Sequence, residues 1–103
     1  MIKLSNAHII IESDVISKLF NGEERVAWIY YPQRKSLMIA ASADELFKSL
    51  HKTTVSVLKY RNSKGDRSLD ILSVIIDHDI DNTNRELPYR TDKDMKVLTI
   101  TLE

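Results

Sequence analysis

Asp77, Asp79 and Asp81, followed by Asn82, occupy the first liganding positions of a calcium-type loop, where hard carboxylate oxygens converge on a divalent ion and a left-handed residue turns the chain. The position at which such a loop closes with a bidentate glutamate holds Pro88. The stretch therefore reads as a strand end carrying Asp77, Asp79 and Asp81 on one exposed face, ahead of an Asx-rich turn through Asn84. No metal or other cofactor is expected. A second concentration of charge lies upstream. Residues 48–67 carry Lys48, Lys52, Lys59, Arg61, Lys64 and Arg67 against Asp66 alone, whereas 77–86 carries Asp77, Asp79, Asp81 and Glu86 against Arg85. Lys59, Arg61, Lys64 and Arg67 could grip nucleic-acid phosphates. The competing reading is a solvated hairpin that guards a sheet edge or pairs with the acidic stretch, within the fold or across a dimer.

Trp28, Tyr30 and Tyr31 fall in one strand-like run, and alternation makes both of its faces apolar. Such a strand is either central or covered by a partner, so these three aromatics are the expected partner interface and self-association the expected state. Nothing in the chain recommends an enzyme. His8, His51 and His78 are far apart and suit structural roles, no G-x-S-x-G elbow occurs, and Glu23-Glu24 fits a solvated turn.

Composition narrows the classes further. The chain has 103 residues, 43% of them apolar, with 15 basic against 15 acidic side chains and no cysteine. That is enough for a single folded domain without disulfide or thiolate-zinc staples. With only Gly22 and Gly65, neither a dinucleotide fingerprint nor a phosphate loop can be written. No apolar run suits a signal peptide or a bilayer span, so a cytoplasmic protein without membrane contact is expected.

The elements that position these residues follow from local pattern. Ala7–Ile11 is a short β-branched strand. Ser13 or Asp14 then caps a helix near 14–20 with Val15, Ile16, Leu19 and Phe20 on one face, stopped at Asn21-Gly22. Residues 25–31 and 36–41 form a hairpin around Pro32–Lys35. Ser42 and Glu45 fit a capping box for a helix near 43–51 with Leu46, Phe47 and Leu50 on one side. Residues 53–61 form a strand ending in the turn Asn62–Asp66. For 69–80 both a helix and a strand can be drawn, and the isoleucines and the alternating charged end favour a strand. A last hairpin joins 86–90 to 96–102. The expected fold is α+β, mostly antiparallel, a small barrel or sandwich with two short helices.

Ile9–Val15 also echoes Val74–Ile80, and each is followed by a hairpin, which outlines two half-units, about 7–41 and 73–102. The order strand, short helix, Asn-Gly break and hairpin over residues 8–40 resembles the swapped-hairpin domains of the AbrB, MazE and MraZ type, including tandem members with two such units in one chain. That resemblance implies a small barrel completed by dimerisation and a DNA-binding transcriptional regulator or antitoxin. It transfers no binding residue, because the family's proline after the first strand and its basic residues in and before it are not matched: those positions hold Glu12 and, upstream, only Lys3 and His8. Without it, the residues favour a non-catalytic protein-interaction or assembly module with a protein partner, acting through the aromatic strand and exposed sheet edges.

Overall fold

Ser5 and His8 face each other across a two-residue turn whose central residues, Asn6 and Ala7, both have positive φ (50° and 63°). That backbone matches the twist of a hairpin, and it joins β1 (Ile2–Ser5) to β2 (His8–Ile11). The computed structural model describes residues 1–21 and 23–102. Sequence patterning assigns no strand to residues 2–5, because Asn-Ala lacks the glycine that normally marks such a turn. Next comes α1 (Ser13–Phe20), with Ile16, Leu19 and Phe20 buried. Its cap position is Glu12, not Ser13 or Asp14, and the cap is supplied from a distance: Asp66 Oδ1 accepts the Ser13 N–H at 3.0 Å. Asn21 ends the helix at φ 51°, while Gly22, the other half of the expected stop, lies outside the described residues.

The hairpin of β3 (Arg25–Tyr31) and β4 (Ser36–Ala41) forms as expected, closed by Lys35 at φ 49°. After it, α2 (Glu45–Leu50) is capped by Asp44, whose Oδ1 accepts the Phe47 N–H at 2.9 Å. Ser42 cannot cap it as the capping box requires, because its N–H is committed to the Arg25 carbonyl, which extends the hairpin ladder. Only Phe47 of the helix is buried; Leu46 and Leu50 are exposed.

The expected strand 53–61 is two strands in two sheets. β5 (Thr54–Val57) pairs with β3, Leu58 turns inward, and β6 (Lys59–Tyr60) pairs with β7 (Arg67–Asp70). The same device recurs at 85–92: β8 (Arg85–Glu86) pairs with β1, buried Leu87 and Pro88 make the bend, and β9 (Tyr89–Asp92) pairs with β10 (Val97–Thr101).

The strand expected through 80 stops at Asp70, and α3 (Leu72–Asp77) follows. Ile71, Val74 and Ile75 point inward at helical spacing, with Leu72 and Ile76 outside. Asp70 Oδ1 starts the turn by accepting the Leu72 N–H at 2.9 Å. At the other end the Ile80 N–H reaches the Ile75 carbonyl and the Asp79 N–H the Ile76 carbonyl, a Schellman closure around Asp79 at φ 52°. Glycine adopts this conformation without the Cβ penalty. Asp79→Gly is therefore expected to raise stability by about 0.5–1 kcal/mol in urea unfolding, and a loss of stability would contradict the left-handed turn.

Every strand pair is antiparallel, and the strands form two five-stranded sheets, β6-β7-β2-β1-β8 and β5-β3-β4-β10-β9. Their facing side chains, including Leu4, Ile9, Leu69, Trp28, Ile39 and Ile100, join Phe20 and Ile75 in one core. The fold is thus α+β and mostly antiparallel, with three short helices where two are expected. It is a pair of packed sheets, and no closed barrel is found among the described residues. Across the β4 ladder's outer face, Phe47 packs on Ala27, Ala40 and Val97 as a smaller second cluster. No helix among the described residues is long and apolar enough to cross a membrane.

The echo of Ile9–Val15 in Val74–Ile80 does not mark equivalent positions. The first is a strand running into α1, the second the body and end of α3. Pairing relates other residues: β2 lies antiparallel to β7 and β4 antiparallel to β10, each at the middle of its sheet. The hairpins β3–β4 and β9–β10 close alike, on Lys35 and Lys96, both at positive φ.

Candidate functional site

The residues expected to bind are dispersed. Asp77 ends α3, Asp79 is the left-handed residue after it, and Asp81 sits in the following turn. No strand face carries the three together. The Asp81 carboxylate is occupied by the Thr83 N–H at 3.0 Å and the Thr83 hydroxyl at 2.6 Å, bonds that, with Arg85 nearby, hold its pKa below the usual carboxylate value. Among the described residues no group of three or more His, Asp or Glu side chains could hold a metal ion.

Within the basic segment, Lys59, Arg61 and Lys64 are exposed but Arg67 is buried. The ladder sets Arg67 and Tyr60 in the row of Ile11 and Ile2, on the core side of the sheet. The guanidinium lies 4.2 Å from the Tyr60 ring centroid and donates to its hydroxyl at 3.0 Å, while Nη1 has no partner among the described residues. Arg67 is a structural cation, removed from the phosphate-gripping set. Lys59 stands on the outer face, in the row of Ser68, Ile10 and Lys3. The turn that carries Lys64 is organised by Asp66. The Asn62 side-chain amide and the Ser13 N–H hydrogen-bond its carboxylate and lower its pKa, and nearby Lys64 adds to the effect.

The aromatic strand lies inside its sheet, between β5 and β4. Trp28 is buried and donates its indole N–H to Ser56 Oγ at 2.9 Å. Tyr30 packs on the core with its ring centroid 4.8 Å from His78, and partial burial raises its pKa. Tyr31 faces the other way, its hydroxyl bonded to His51 Nδ1 and its ring under the Arg34 guanidinium at 4.6 Å. Of the three residues of the expected interface Trp28 is therefore buried, while Tyr30 and Tyr31 are half-buried.

Two features remain open. The first is an edge. Of the four edge strands, β6 and β8 have two residues each, and β9 carries Arg90 and Asp92 after Pro88. Charge, proline and short length are the usual guards against pairing with another chain. β5 has none of them: it is Thr-Val-Ser-Val, with Val55 and Val57 about half exposed (50% and 49%). Its backbone is aimed outward at those two residues. The Leu58 N–H donates to the Glu24 carbonyl at 2.6 Å, so alternation turns Ser56 and Thr54 toward β3 and the N–H and C=O groups of Val55 and Val57 away from it.

The second is a groove of about 770 Å3 on the outer face of the same sheet, between α2 and the β9–β10 hairpin. Met38, Val97 and Thr99 form its floor, Phe47, Leu50 and His51 one wall, and Arg90, Asp92, Lys93 and Met95 are among the residues of the other. The groove depends on β10 pairing with β4, a long-range register with no local sequence signal. The open edge did have one, an uncharged run 53–58 between Lys52 and Lys59.

No protein-family model, curated protein or solved structure matches the chain.

Proposed function

We propose that this chain is a non-catalytic protein-interaction module, one that adds an extended segment of a partner protein to the free edge of β5. The observation that carries the reading is the contrast among edges: three are short or charged, and β5 is neither. An added strand gains main-chain hydrogen bonds to Val55 and Val57, and their side chains offer apolar contacts at alternate positions on one face. The ends of the edge define the partner's charge. Lys52 precedes β5, and Lys59, Arg61 and Lys64 follow it, which suits a segment with an apolar alternating centre and acidic ends. A second copy of the chain is less suited. Each copy would bring the same basic flanks, Lys52 before β5 and Lys59 after it, to the pairing, like charge against like.

Selection of a displayed random-peptide library on the protein is expected to enrich acidic-ended, alternating apolar sequences. Val55→Pro removes one outward N–H and leaves the ladder to β3 intact, and Val57→Lys charges the edge. Each is expected to weaken the selected peptides at least about tenfold, with circular dichroism unchanged. Unchanged binding by both variants, or no such enrichment, overturns the reading. Salt-dependent duplex binding that falls on neutralising Lys59, Arg61 and Lys64 would replace it with the DNA-binding regulator implied by the swapped-hairpin resemblance.

A further inference from the structure

We infer that the groove between α2 and the β9–β10 hairpin binds a small amphipathic monocarboxylate, its apolar body against Met38, Phe47, Leu50 and Met95 and its head on Arg90. The groove lies over β4, β10 and β9, toward the sheet edge opposite β5, so the inference is independent of the strand-addition reading. Its volume, about 770 Å3, falls among those of small-molecule sites, roughly 300–1,000 Å3. Leu50 and Met95 leave large apolar surfaces in water on its two banks (64% and 45% exposed), and the two flexible methionines can close on an irregular body.

The polar groups of the lining divide into committed and uncommitted sets. Asp44 Oδ1 caps α2, and Asp92 Oδ1 accepts the N–H groups of Asp94 and Met95 at 3.1 and 3.0 Å. His51 is bonded to Tyr31 and packs on Phe47, with ring centroids 4.7 Å apart. The side chains of Arg90 and Lys93 have no hydrogen bond or ion pair with any of the described residues. Arg90 pairs with Thr99 in the β9–β10 ladder, so the guanidinium and the hydroxyl share the outer face. A planar fork beside a hydroxyl suits a carboxylate. The same lining limits the head to one charge. Asp92 stands two residues along the strand from Arg90 on that face, and Asp94 belongs to the adjoining loop, so a phosphate dianion meets about twice the repulsion that a monocarboxylate does.

The chain has three methionines, Met1, Met38 and Met95, and two of them line the groove, so methyl-13C-methionine spectra report on it directly. Titration with decanoate is expected to shift the Met38 and Met95 methyl signals and leave Met1 in place. Decanol is expected to bind at least about tenfold more weakly, as is decanoate to the Arg90→Gln variant, whereas Arg61→Gln, exposed at the edge of the other sheet, binds as the unaltered protein does. No shift at millimolar decanoate, equal binding of decanol, an unchanged Arg90→Gln titration, or shifts of all three methyls alike would each overturn the assignment.

Discussion

Truncating Arg67 to alanine is expected to lower the unfolding free energy by about 2–4 kcal/mol. The change removes the buried aliphatic stem, the charged hydrogen bond to the Tyr60 hydroxyl and the stacking on its ring. Arg67→Met keeps most of the stem and discards the charge with its unpartnered Nη1, so it is expected to cost only about 1 kcal/mol. Alanine at Lys59 or Lys64, both exposed, should stay within about 0.5 kcal/mol. Urea midpoints at constant slope decide the matter. An Arg67→Ala protein that unfolds at the unaltered midpoint would place the guanidinium at the surface and return it to the cation cluster.

The second large effect separates helix from strand at 72–77. On α3, Ile75 faces the core and Ile76 faces water, with 7% and 67% of their surfaces exposed. A strand through the same residues would put Ile76 inward beside Val74. Ile75→Lys is accordingly expected to cost about 4 kcal/mol or to prevent folding, because it buries an unpaired ammonium. Ile76→Lys, on the wet face near a helix carboxyl end where a cation is favoured, should change stability by less than about 0.5 kcal/mol. Thermal unfolding of the two variants reads the difference directly, and the reverse order would restore the strand.

Local signals carried much of the architecture. The β3–β4 hairpin, α1 and α2 lie near where periodicity and turn residues put them, since each depends on neighbours a few positions apart; the closing hairpin also forms, but between 89–92 and 97–101 instead of from 86–90. The failures share a different cause. At 69–80 the inward set Ile71, Val74, Ile75 competes with an equally apolar outer pair, Leu72 and Ile76, and the left-handed closure is made by Asp79 instead of glycine. At Leu58 and Leu87 one apolar run feeds two sheets, which only tertiary pairing reveals. The site residues fared worse for the same reason. Arg67 looks like any surface cation until the ladder places it in the row of Ile2 and Ile11, and Trp28 looks available until β5 and β4 flank its strand.

The two bends have a mechanical meaning. Because Leu58 ties one edge of the sandwich and Leu87-Pro88 ties the other, each sheet is stitched to its neighbour along both margins by continuous backbone. Neither layer can peel away like a book cover, and neither can be excised as a self-sufficient piece, since every cut between the sheets severs a strand on each side. Formation of the two layers is thereby bound into a single event, dominated by contacts between residues far apart along the chain.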